Sequence, residues 1–531
     1  MTTEPTPAGH PGPGGSRAAG SSSAVPRTAP EKTAPGQAPA EEIPAEETGQ
    51  EHLKRGLSSR HMQMIAIGGA IGTGLFVASG GSIAEAGPGG ALAAYALIGV
   101  MVLLMMQSLG EMASFLPAAG SFQTYGQRFV SPSFGFALGW NYWFNWAITV
   151  AAELVAAGLV MGYWLPDVPG WVWAAVFLVL LTGLNALSAK AFGEGEFWFA
   201  AIKVIAVIAF LICGVLMIFG IMGGTSPGFK NWTEGEAPFK GGLLGVFSIF
   251  LIAGFSFQGT ELVGVAAGEA KDPGKNVPKA IRTVFWRIMI FYIGAITVIG
   301  FLIPYTHPNL LKNDDTDIAF SPFTMVFQNA GIAFAAALMN AVILTSILSA
   351  GNSGLYASTR MLYGMAVSGT APKVFAKVSR RGVPIPALMA TASVGLFGFL
   401  SSLIGQGKAY EWLLNVSALA GFIVWLGISV CHYRFRKAFV LQGRSLDELP
   451  YKAPFYPVGP ILAFLTCVII IIGQGYTAVG EGDLLAVLSA YIGIPAFLLL
   501  WLGHRLVTRS RVVPLKEMDL DSRISAPVDL T

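Results

Sequence analysis

The chain has 531 residues, of which 53% are hydrophobic and only 12% are charged, with a net charge of +3. Soluble domains carry about 25% charged residues, so this composition excludes an ordinary soluble protein and places most of the chain in lipid. There is no sustained basic patch with interleaved aromatic residues, which argues against a nucleic-acid partner. The three cysteines lie in apolar runs without a close partner, which argues against a disulfide framework or a zinc site.

Residues 1–50 are rich in Pro, Gly, Ala, Ser, Thr and Glu and contain almost no large apolar residue. Such a segment cannot bury enough surface to offset its ordering entropy, so the sequence predicts a disordered N-terminal tail. The tail lacks the apolar stretch of a signal peptide, and we expect it to lie in the cytoplasm.

After the tail, apolar segments long enough to cross a bilayer recur about twelve times. They lie near residues 61–82, 89–111, 134–163, 171–188, 197–221, 242–267, 284–304, 331–358, 384–404, 410–431, 455–477 and 484–506. Lys and Arg concentrate in the connections on one side, within 54–60, 271–282, 373–381, 434–452 and 505–511. Basic connections mark the cytoplasmic side, and an even number of spans puts both termini there.

Two spans are too rich in glycine to cross the membrane as unbroken helices, at residues 68–76 in the first and 253–261 in the sixth. Lipid cannot satisfy the N–H and C=O groups that a break exposes, so both breaks must line a protein-enclosed cavity. Two interruptions at matching places predict a transporter site within an inverted repeat of five plus five spans, with two further spans outside it. For Gly68 and Gly69, close helix packing is an equal alternative.

Few ionisable side chains lie within the spans, and such groups usually face a cavity or a partner. Glu153, Lys203 and Glu261 lie deep in the third, fifth and sixth spans. Lys203 could instead extend its ammonium to the interface, and Glu269 could be a solvated helix end. Near span ends, where we expect contact with solvent, lie Arg287 and Glu411.

The sequence does not contain the motifs of haem proteins or of ATP-hydrolysing transporters. The six histidines lie in the tail, in connections or near span ends, away from where haem would need axial ligands. There is no phosphate-binding Gly-x-x-x-x-Gly-Lys-Ser/Thr loop, so the driving force must come from an ion or substrate gradient. We therefore expect no enzymatic activity, no cofactor and no metal. A channel would show a repeated filter or a ring of charges, and a membrane sensor that binds without transporting is the remaining alternative.

The chain also carries a family resemblance, in residues 68–76, 255–262, 272–278, 134–143, 349–354, 356–363 and 432–436. It resembles the amino acid–polyamine–organocation (APC) superfamily, and within it the bacterial amino acid permeases, especially the lysine-specific permeases. The resemblance implies an all-α integral membrane protein with a LeuT-like fold of about twelve transmembrane helices, in which helices 1 and 6 are broken. It assigns residues 55–515 to the permease domain, after the tail of 1–50 and before a cytoplasmic C-terminal tail of 516–531.

The resemblance further implies a secondary active transporter in the bacterial cytoplasmic membrane that imports a cationic amino acid, L-lysine, by proton symport. A permease for an aromatic amino acid or for γ-aminobutyrate, and a cationic amino acid exchanger, remain alternatives. The implied partners are the amino acid, protons and membrane lipid.

The main chain at the breaks suits an α-amino acid. N–H groups at the start of the half-helix after the first break attract its carboxylate, and freed carbonyl oxygens at both breaks accept its ammonium. Phe255 resembles the aromatic residue that covers the substrate in the family, with ordinary packing as the alternative. The predicted substrate-binding residues are Ala70, Gly72, Thr73, Gly74, Glu153, Phe255, Ser256, Gln258 and Glu261.

Charged side chains complete the predicted site. Lys203 resembles a lysine of proton-coupled superfamily members, and burial makes a lysine release its proton more readily. The second ammonium of a lysine substrate needs a counter-charge, for which Glu261 ranks first, Glu153 second and Glu269 third. Glu269 is also the predicted gating or transport residue. Because related permeases for neutral substrates carry similar acids, a structural role is the alternative for Glu153 and Glu261.

Overall fold

The computed structural model describes residues 57–68, 71–118, 120–311, 321–331, 333–482 and 484–521. Across these residues the regular secondary structure is helical, apart from one isolated parallel bridge between Leu57 and Ala270. The predicted all-α class is therefore confirmed. The predicted disordered tail, and Ala70 of the predicted site, lie outside the described residues.

The first apolar region is divided into short pieces. It contains α1 (Ser59–Gly68) and α2 (Thr73–Phe76), followed by the long α3 (Ala78–Phe115). Within α3, Gly87 has a φ of 74° and a ψ of 169°, which interrupts the helix directly before Pro88. Proline fits the first turn of a helix, where its missing N–H would have no partner anyway. The second predicted span therefore begins at this interruption.

The next helices are α4 (Ser121–Phe129), α5 (Pro132–Met161), α6 (Gly170–Asn185), α7 (Ala189–Ile218) and α8 (Lys230–Thr233). Serine caps begin the two longest: the side chains of Ser131 and Ser188 accept hydrogen bonds from the N–H groups of Phe134 and Ala191. Such caps satisfy N–H groups that have no partner within the helix.

The second broken region consists of α9 (Gly242–Ser248), α10 (Phe250–Phe257) and α11 (Leu262–Ala266), which continues as a 3-10 turn through Ala267–Glu269. Between α10 and α11, Gly259 has a φ of 86°. Side chains rarely tolerate this left-handed conformation, so the break requires glycine there.

The remaining helices complete the bundle. They are α12 (Pro273–Arg287), α13 (Ala295–Leu302), α14 (Pro308–Leu311), α15 (Pro322–Asn329), α16 (Ala333–Val367), α17 (Ile385–Val394), α18 (Ser401–Ile404), α19 (Gln406–Leu441), α20 (Val458–Gly473), α21 (Tyr476–Glu481), α22 (Leu484–Tyr491) and α23 (Gly493–Thr508). A π-helical stretch, Ile288–Gly294, joins α12 to α13, and 3-10 turns lie at Lys373–Ala376, Gly395–Leu400 and Leu446–Glu448.

Within the described ranges, 8 helical stretches are long and apolar enough to cross a membrane. They are Ala78–Phe115, Pro132–Met161, Lys190–Ile218, Gly242–Glu269, Pro273–Leu302, Phe334–Val367, Ile385–Ile404 and Gln406–Leu441. The helices α6, α20 and α23 are apolar but shorter. The structure thus supports a multi-pass membrane protein, whereas the predicted number of about twelve spans remains a prediction.

The centre of the bundle is α5, which packs most extensively against α16 and α19. The short helix α2 packs against α10, so the two broken regions meet. In addition, α1 packs against α7 and α12. These contacts bring the breaks, the middle of α5 and the first half of α7 together in the interior.

Candidate functional site

The first break brings a glycine-rich turn against a buried carboxylate. A Cβ atom on Gly72 would lie 2.7 Å from Oε1 of Glu153 and 2.8 Å from Cβ of Ala350. Both distances are below normal contact, so the turn needs glycine to approach α5 and α16 this closely. At the end of α1, a Cβ on Gly68 would lie 2.4 Å from Cβ of Ala200. Gly68 therefore also serves close helix packing.

The second break is capped by Glu261. The N–H of Gly259 lies 3.2 and 3.0 Å from the two carboxylate oxygens of Glu261, and Nε1 of Trp425 donates to Oε2 at 3.1 Å. Hydrogen bonds of this kind satisfy main-chain groups that the break leaves without helical partners. The hydrogen bonds that the Glu261 carboxylate accepts therefore stabilise the main chain at the break.

The two breaks face each other across a close contact. A Cβ on Gly74 would lie 2.5 Å from the Cα of Ser256. Beside this contact is a small cavity of ≈ 10 Å³. It is lined by Gly72, Gly74, Trp146, Thr149, Glu153, Phe255, Gln258 and Ala350. Five predicted substrate-binding residues are therefore together in one cavity wall.

The other predicted binding residues lie elsewhere. Thr73 and Ser256 are buried beside the lining residues and bond to Glu153 and Tyr95, respectively. Glu261 is buried at the second break and is not a lining residue. Ala70 lies outside the described residues.

Sequence reasoning missed three lining residues, namely Trp146, Thr149 and Ala350. A signal was available for two of them. Trp146 and Thr149 precede Glu153 by seven and four residues on α5, and this spacing places all three on one helix face. Ala350 has no such signal, because a small residue on another helix reveals its position only through packing.

Among the described residues that line the cavity, only Glu153 is ionisable. Glu153 is 3% exposed, and Oγ1 of Thr73 donates a hydrogen bond to its Oε1 at 3.1 Å. The second oxygen, Oε2, has no hydrogen-bond partner in the described part of the protein. A buried carboxylate oxygen without a donor is costly, so this atom can receive a proton or a ligand's cation.

Gln258 ties the second break to α19. Its Nε2 donates to the carbonyl oxygens of Ser417 and Ala418 at 3.0 and 3.2 Å, and Oγ of Ser417 donates to Oε1 at 3.2 Å. The Ser417 hydroxyl also lies 2.6 Å from that of Thr149, a lining residue. This network fixes the Gln258 amide in the cavity wall.

Lys203 is fully buried, at 0% exposure, so the alternative of an interfacial lysine is wrong. Its Nζ donates to the carbonyl oxygen of Gly68 at 2.8 Å. Glu196 and Glu153 attract the ammonium, whereas Arg287 repels it. The predicted coupling residue thus contacts the first break directly and interacts with a carboxylate of the cavity.

The expectation that Arg287 contacts solvent is wrong, because this residue is only 1% exposed. One terminal nitrogen donates to the carbonyl oxygen of Ala66 at 3.0 Å, and the other donates to the hydroxyl of Tyr292 at 2.9 Å. That hydroxyl donates in turn to the carbonyl oxygen of Ser256 at 2.7 Å. Arg287 therefore links α1 to the second break. Glu411, in contrast, is exposed as expected.

Glu269 is also buried, at 1% exposure, and is not a solvated helix end. Its Oε1 accepts hydrogen bonds from Nε of Arg360 at 2.9 Å and from the hydroxyl of Tyr356 at 3.0 Å, both on α16. Its carbonyl oxygen accepts the N–H of Leu57 at 3.1 Å, and the carbonyl oxygen of Leu57 accepts the N–H of Lys271 at 2.9 Å. These bonds join the chain before α1, the segment after α11, and α16.

Two further buried carboxylates were not predicted. Glu196 on α7 accepts a 2.6 Å hydrogen bond from Oγ of Ser349. Glu111, near the end of α3, accepts from Nε of Arg436 at 2.6 Å and lies 3.2 Å from Nε2 of His432. Both are close to span ends in the sequence, so only the fold reveals that they are enclosed.

Comparisons with known proteins agree with this architecture. The family model of amino acid permeases matches residues 61–516. The lysine-specific permease LysP of Escherichia coli (strain K12) is 57% identical over 469 residues, which is 88% of this chain and 96% of that protein. LysP of Lactococcus lactis subsp. cremoris (strain MG1363) is 50% identical, over 89% of this chain and 94% of that protein. The histidine permease HisP of the same organism is 48% identical, over 89% of this chain and 98% of that protein. This chain therefore belongs to the amino acid permease family.

Proposed function

We propose that this chain imports a cationic amino acid, L-lysine, by proton symport. The observation that carries this proposal is the carboxylate of Glu153, whose Oε2 has no hydrogen-bond partner among the described residues, in the cavity wall where the two breaks meet. The names of two relatives, both lysine-specific permeases, support the choice of lysine.

The main chain receives the α-carboxylate and the α-ammonium. Gly72 and Gly74 expose the backbone of the first break to the cavity, because neither carries a side chain that would cover it. N–H groups of this turn suit the carboxylate. Carbonyl oxygens at the second break, near Phe255 and Gln258, suit the ammonium, and the Phe255 ring covers the ligand.

The side-chain ammonium of lysine pairs with Glu153. A compact ammonium left unpaired in a buried site costs several kcal/mol, so a counter-charge is needed. Glu261 already bonds to Gly259 and Trp425 and is not a lining residue, so it is a weaker candidate than the sequence indicated. Glu269 is engaged with Arg360 and is assigned to gating.

Lys203 couples the proton to transport. When charged, its ammonium holds the Gly68 carbonyl with a charge-assisted hydrogen bond, which is about twice as strong as a neutral one. When Lys203 releases its proton, its hydrogen bond to the end of α1 weakens. Movement of α1 and access to the cavity therefore follow the protonation of Lys203.

The proposed topology has about twelve spans, with a LeuT-like inverted repeat of five plus five that contains both breaks. The permease domain occupies residues 55–515, between a disordered tail of 1–50 and a C-terminal tail of 516–531. Clustered Lys and Arg place both termini in the cytoplasm of a bacterium, with the domain in the cytoplasmic membrane and in contact with its lipid.

Competition for the uptake of labelled L-lysine tests the substrate. Proteoliposomes with an imposed pH gradient receive each common amino acid as an unlabelled competitor. We expect L-lysine to compete at concentrations roughly tenfold or more below any other, a difference of about 1.4 kcal/mol. Histidine is the second candidate because a histidine permease is 48% identical to this chain. Stronger competition by histidine or by a neutral amino acid would contradict the assignment.

A further inference from the structure

Glu196 is a buried carboxylate to which the proposed transport cycle gives no role. It is 0% exposed. Its Oε1 accepts a 2.6 Å hydrogen bond from Oγ of Ser349 on α16, whereas its Oε2 has no hydrogen-bond partner among the described residues. Burying a charged group is costly unless it is paired or can become neutral by binding a proton. Glu196 is therefore suited to accept a proton on Oε2.

Glu196 and Lys203 share one face of α7. They are seven residues apart, which is two helical turns or roughly 10 Å along the axis. Side chains on a helix tilt toward its N-terminus, so the long stem of Lys203 extends back toward Glu196 and shortens the gap. Glu196 and Glu153 are the carboxylates that attract the Lys203 ammonium.

A separate titratable cluster lies at the N-terminal end of α7. Glu194, one turn or less from Glu196, has a side chain that is 34% exposed. It pairs with Arg60 and lies 3.1 Å from Nε2 of His61. Glu194 lies on the opposite face of α7 from Glu196 and Lys203, and its exposure shows that water reaches the N-terminal end of this helix, two residues before Glu196.

We propose that Glu196 is the residue through which Lys203 passes its proton to the cytoplasm. This inference rests on the proposed function, because it assumes that Lys203 carries the coupled proton. In the transfer, an N–H bond of the Lys203 ammonium breaks and an O–H bond forms at Oε2 of Glu196, with the proton passing through a bridging water molecule. A neutral amine and a neutral carboxylic acid result. The acid then releases the proton to water at the Glu194 end of α7.

Burial favours this transfer, because it converts two charged groups in the protein interior into two neutral ones. Glu196 faces Lys203 from the same helix, Glu153 faces it from α5, and Arg287 faces it from α12. The α16 side chains beside Glu196 are neutral: Ser349 donates a hydrogen bond to it, and Ser353 and Asn352 lie nearby. Loss of the Lys203 proton also relieves the repulsion between its ammonium and the buried guanidinium of Arg287. Among the described residues, none of the α16 side chains beside Glu196 carries a charge that opposes its protonation.

The variant Glu196→Gln tests the proposal, because glutamine preserves the shape and still accepts the Ser349 hydrogen bond but cannot carry the proton. Two measurements are made in proteoliposomes: accumulation of L-lysine driven by a pH gradient, and exchange of internal for external L-lysine, which needs no net proton movement. We expect accumulation to fall roughly tenfold or more, which is within the range of a lost proton-transfer group, while exchange stays near that of the wild type. Glu196→Asp, which keeps an ionisable group, should restore accumulation in part.

The control is Glu234→Gln, which removes an exposed carboxylate in the connection between the fifth and sixth predicted spans. It should change neither measurement. The proposal is overturned if Glu196→Gln accumulates lysine with the pH profile of the wild type. It is also overturned if accumulation and exchange fall together and Glu196→Asp restores neither, because that pattern indicates a structural role.

If Glu196→Gln does not fold, the variant Ser349→Ala tests the role of Glu196 instead. This change removes the hydrogen bond to Glu196 and leaves the carboxylate in place. We expect the pH of half-maximal accumulation to shift while exchange is retained, and an unshifted profile would contradict the proposal. The failure of the proposed function looks different, since the wild-type protein would then not accumulate lysine under a pH gradient at all.

Discussion

The ammonium of Lys203 donates a 2.8 Å hydrogen bond to the carbonyl oxygen of Gly68, the last residue of α1 before the first break. The same oxygen accepts the N–H of Ile71 at 3.1 Å, so one carbonyl joins the helix end, the turn and α7. Because a titratable group holds this point, the proposed coupling makes the position of α1 depend on a proton.

The variant Lys203→Gln should therefore separate transport from its driving force. Its amide can still donate to Gly68, but it carries no exchangeable charge. We expect pH-gradient-driven accumulation of lysine to be lost, while exchange across the membrane persists. The control is Lys190→Gln, an exposed lysine near the start of the same helix. Accumulation by Lys203→Gln that remains fully driven by the pH gradient would exclude Lys203 as the coupling residue.

The variant Gly74→Val tests the contact between the two breaks. The new Cβ would lie 2.5 Å from the Cα of Ser256, which is main chain and cannot rotate away. We expect uptake to be abolished while the protein still inserts in the membrane, as measured by transport assays and by the amount of folded protein in the membrane fraction. Gly183→Val on α6 is the control, since a Cβ there meets nothing within 4 Å. Normal uptake by Gly74→Val would show that this close approach is not required.

The sequence indicated both breaks because glycine clusters in an apolar run conflict with an unbroken helix, and this conflict is local. It likewise indicated Glu153 and Lys203, since an isolated charge in a long apolar run must find a partner inside the protein. Arg287 was misjudged because the sequence shows only its distance from the end of an apolar run. Its enclosure depends on α1 and Tyr292, whose positions are set by tertiary packing.

The roles of the acids near the second break show the same limit. Glu261 follows the break by a few residues, so proximity in sequence favoured it as the counter-charge for the substrate. The chain forms a turn around Gly259, and the Glu261 carboxylate accepts hydrogen bonds from the Gly259 N–H and from Trp425. Only the three-dimensional path of the chain distinguishes such a cap from a cavity-lining residue like Glu153.

The variants Glu153→Gln and Glu261→Gln form a matched pair, because both remove one buried carboxylate and preserve its shape. If Glu153 pairs with the side-chain ammonium, Glu153→Gln should weaken lysine binding by roughly tenfold or more and reduce the preference for lysine over norleucine. Glu261→Gln should instead lower thermal stability and leave that preference unchanged. Binding of lysine and norleucine to the purified variants, together with melting curves, measures both effects. The reverse pattern would assign the counter-charge to Glu261.

Glu269 bonds to Arg360 and Tyr356 in a buried contact, which we expect to close the cytoplasmic side of the cavity. Breaking a buried ion pair by removing one charge typically costs about 3–5 kcal/mol, because the remaining charge is left without compensation. We therefore expect Glu269→Gln to open this side and to reduce lysine accumulation. Labelling from the cytoplasmic face of a cysteine placed at Ala267, which is 1% exposed, reports the opening in a cysteine-free background.

The control for this closure is Glu448→Gln, which removes the exposed partner of Arg444 in an i,i+4 pair. Such exposed pairs contribute little to stability because solvent screens them, so labelling at position 267 and lysine accumulation should both stay at the wild-type level. If Glu269→Gln labels as slowly as this control, the bonds from Glu269 to α16 do not hold the cytoplasmic side closed. Faster labelling of Glu269→Gln alone would identify the buried pair as the contact that must separate before lysine can leave the cavity.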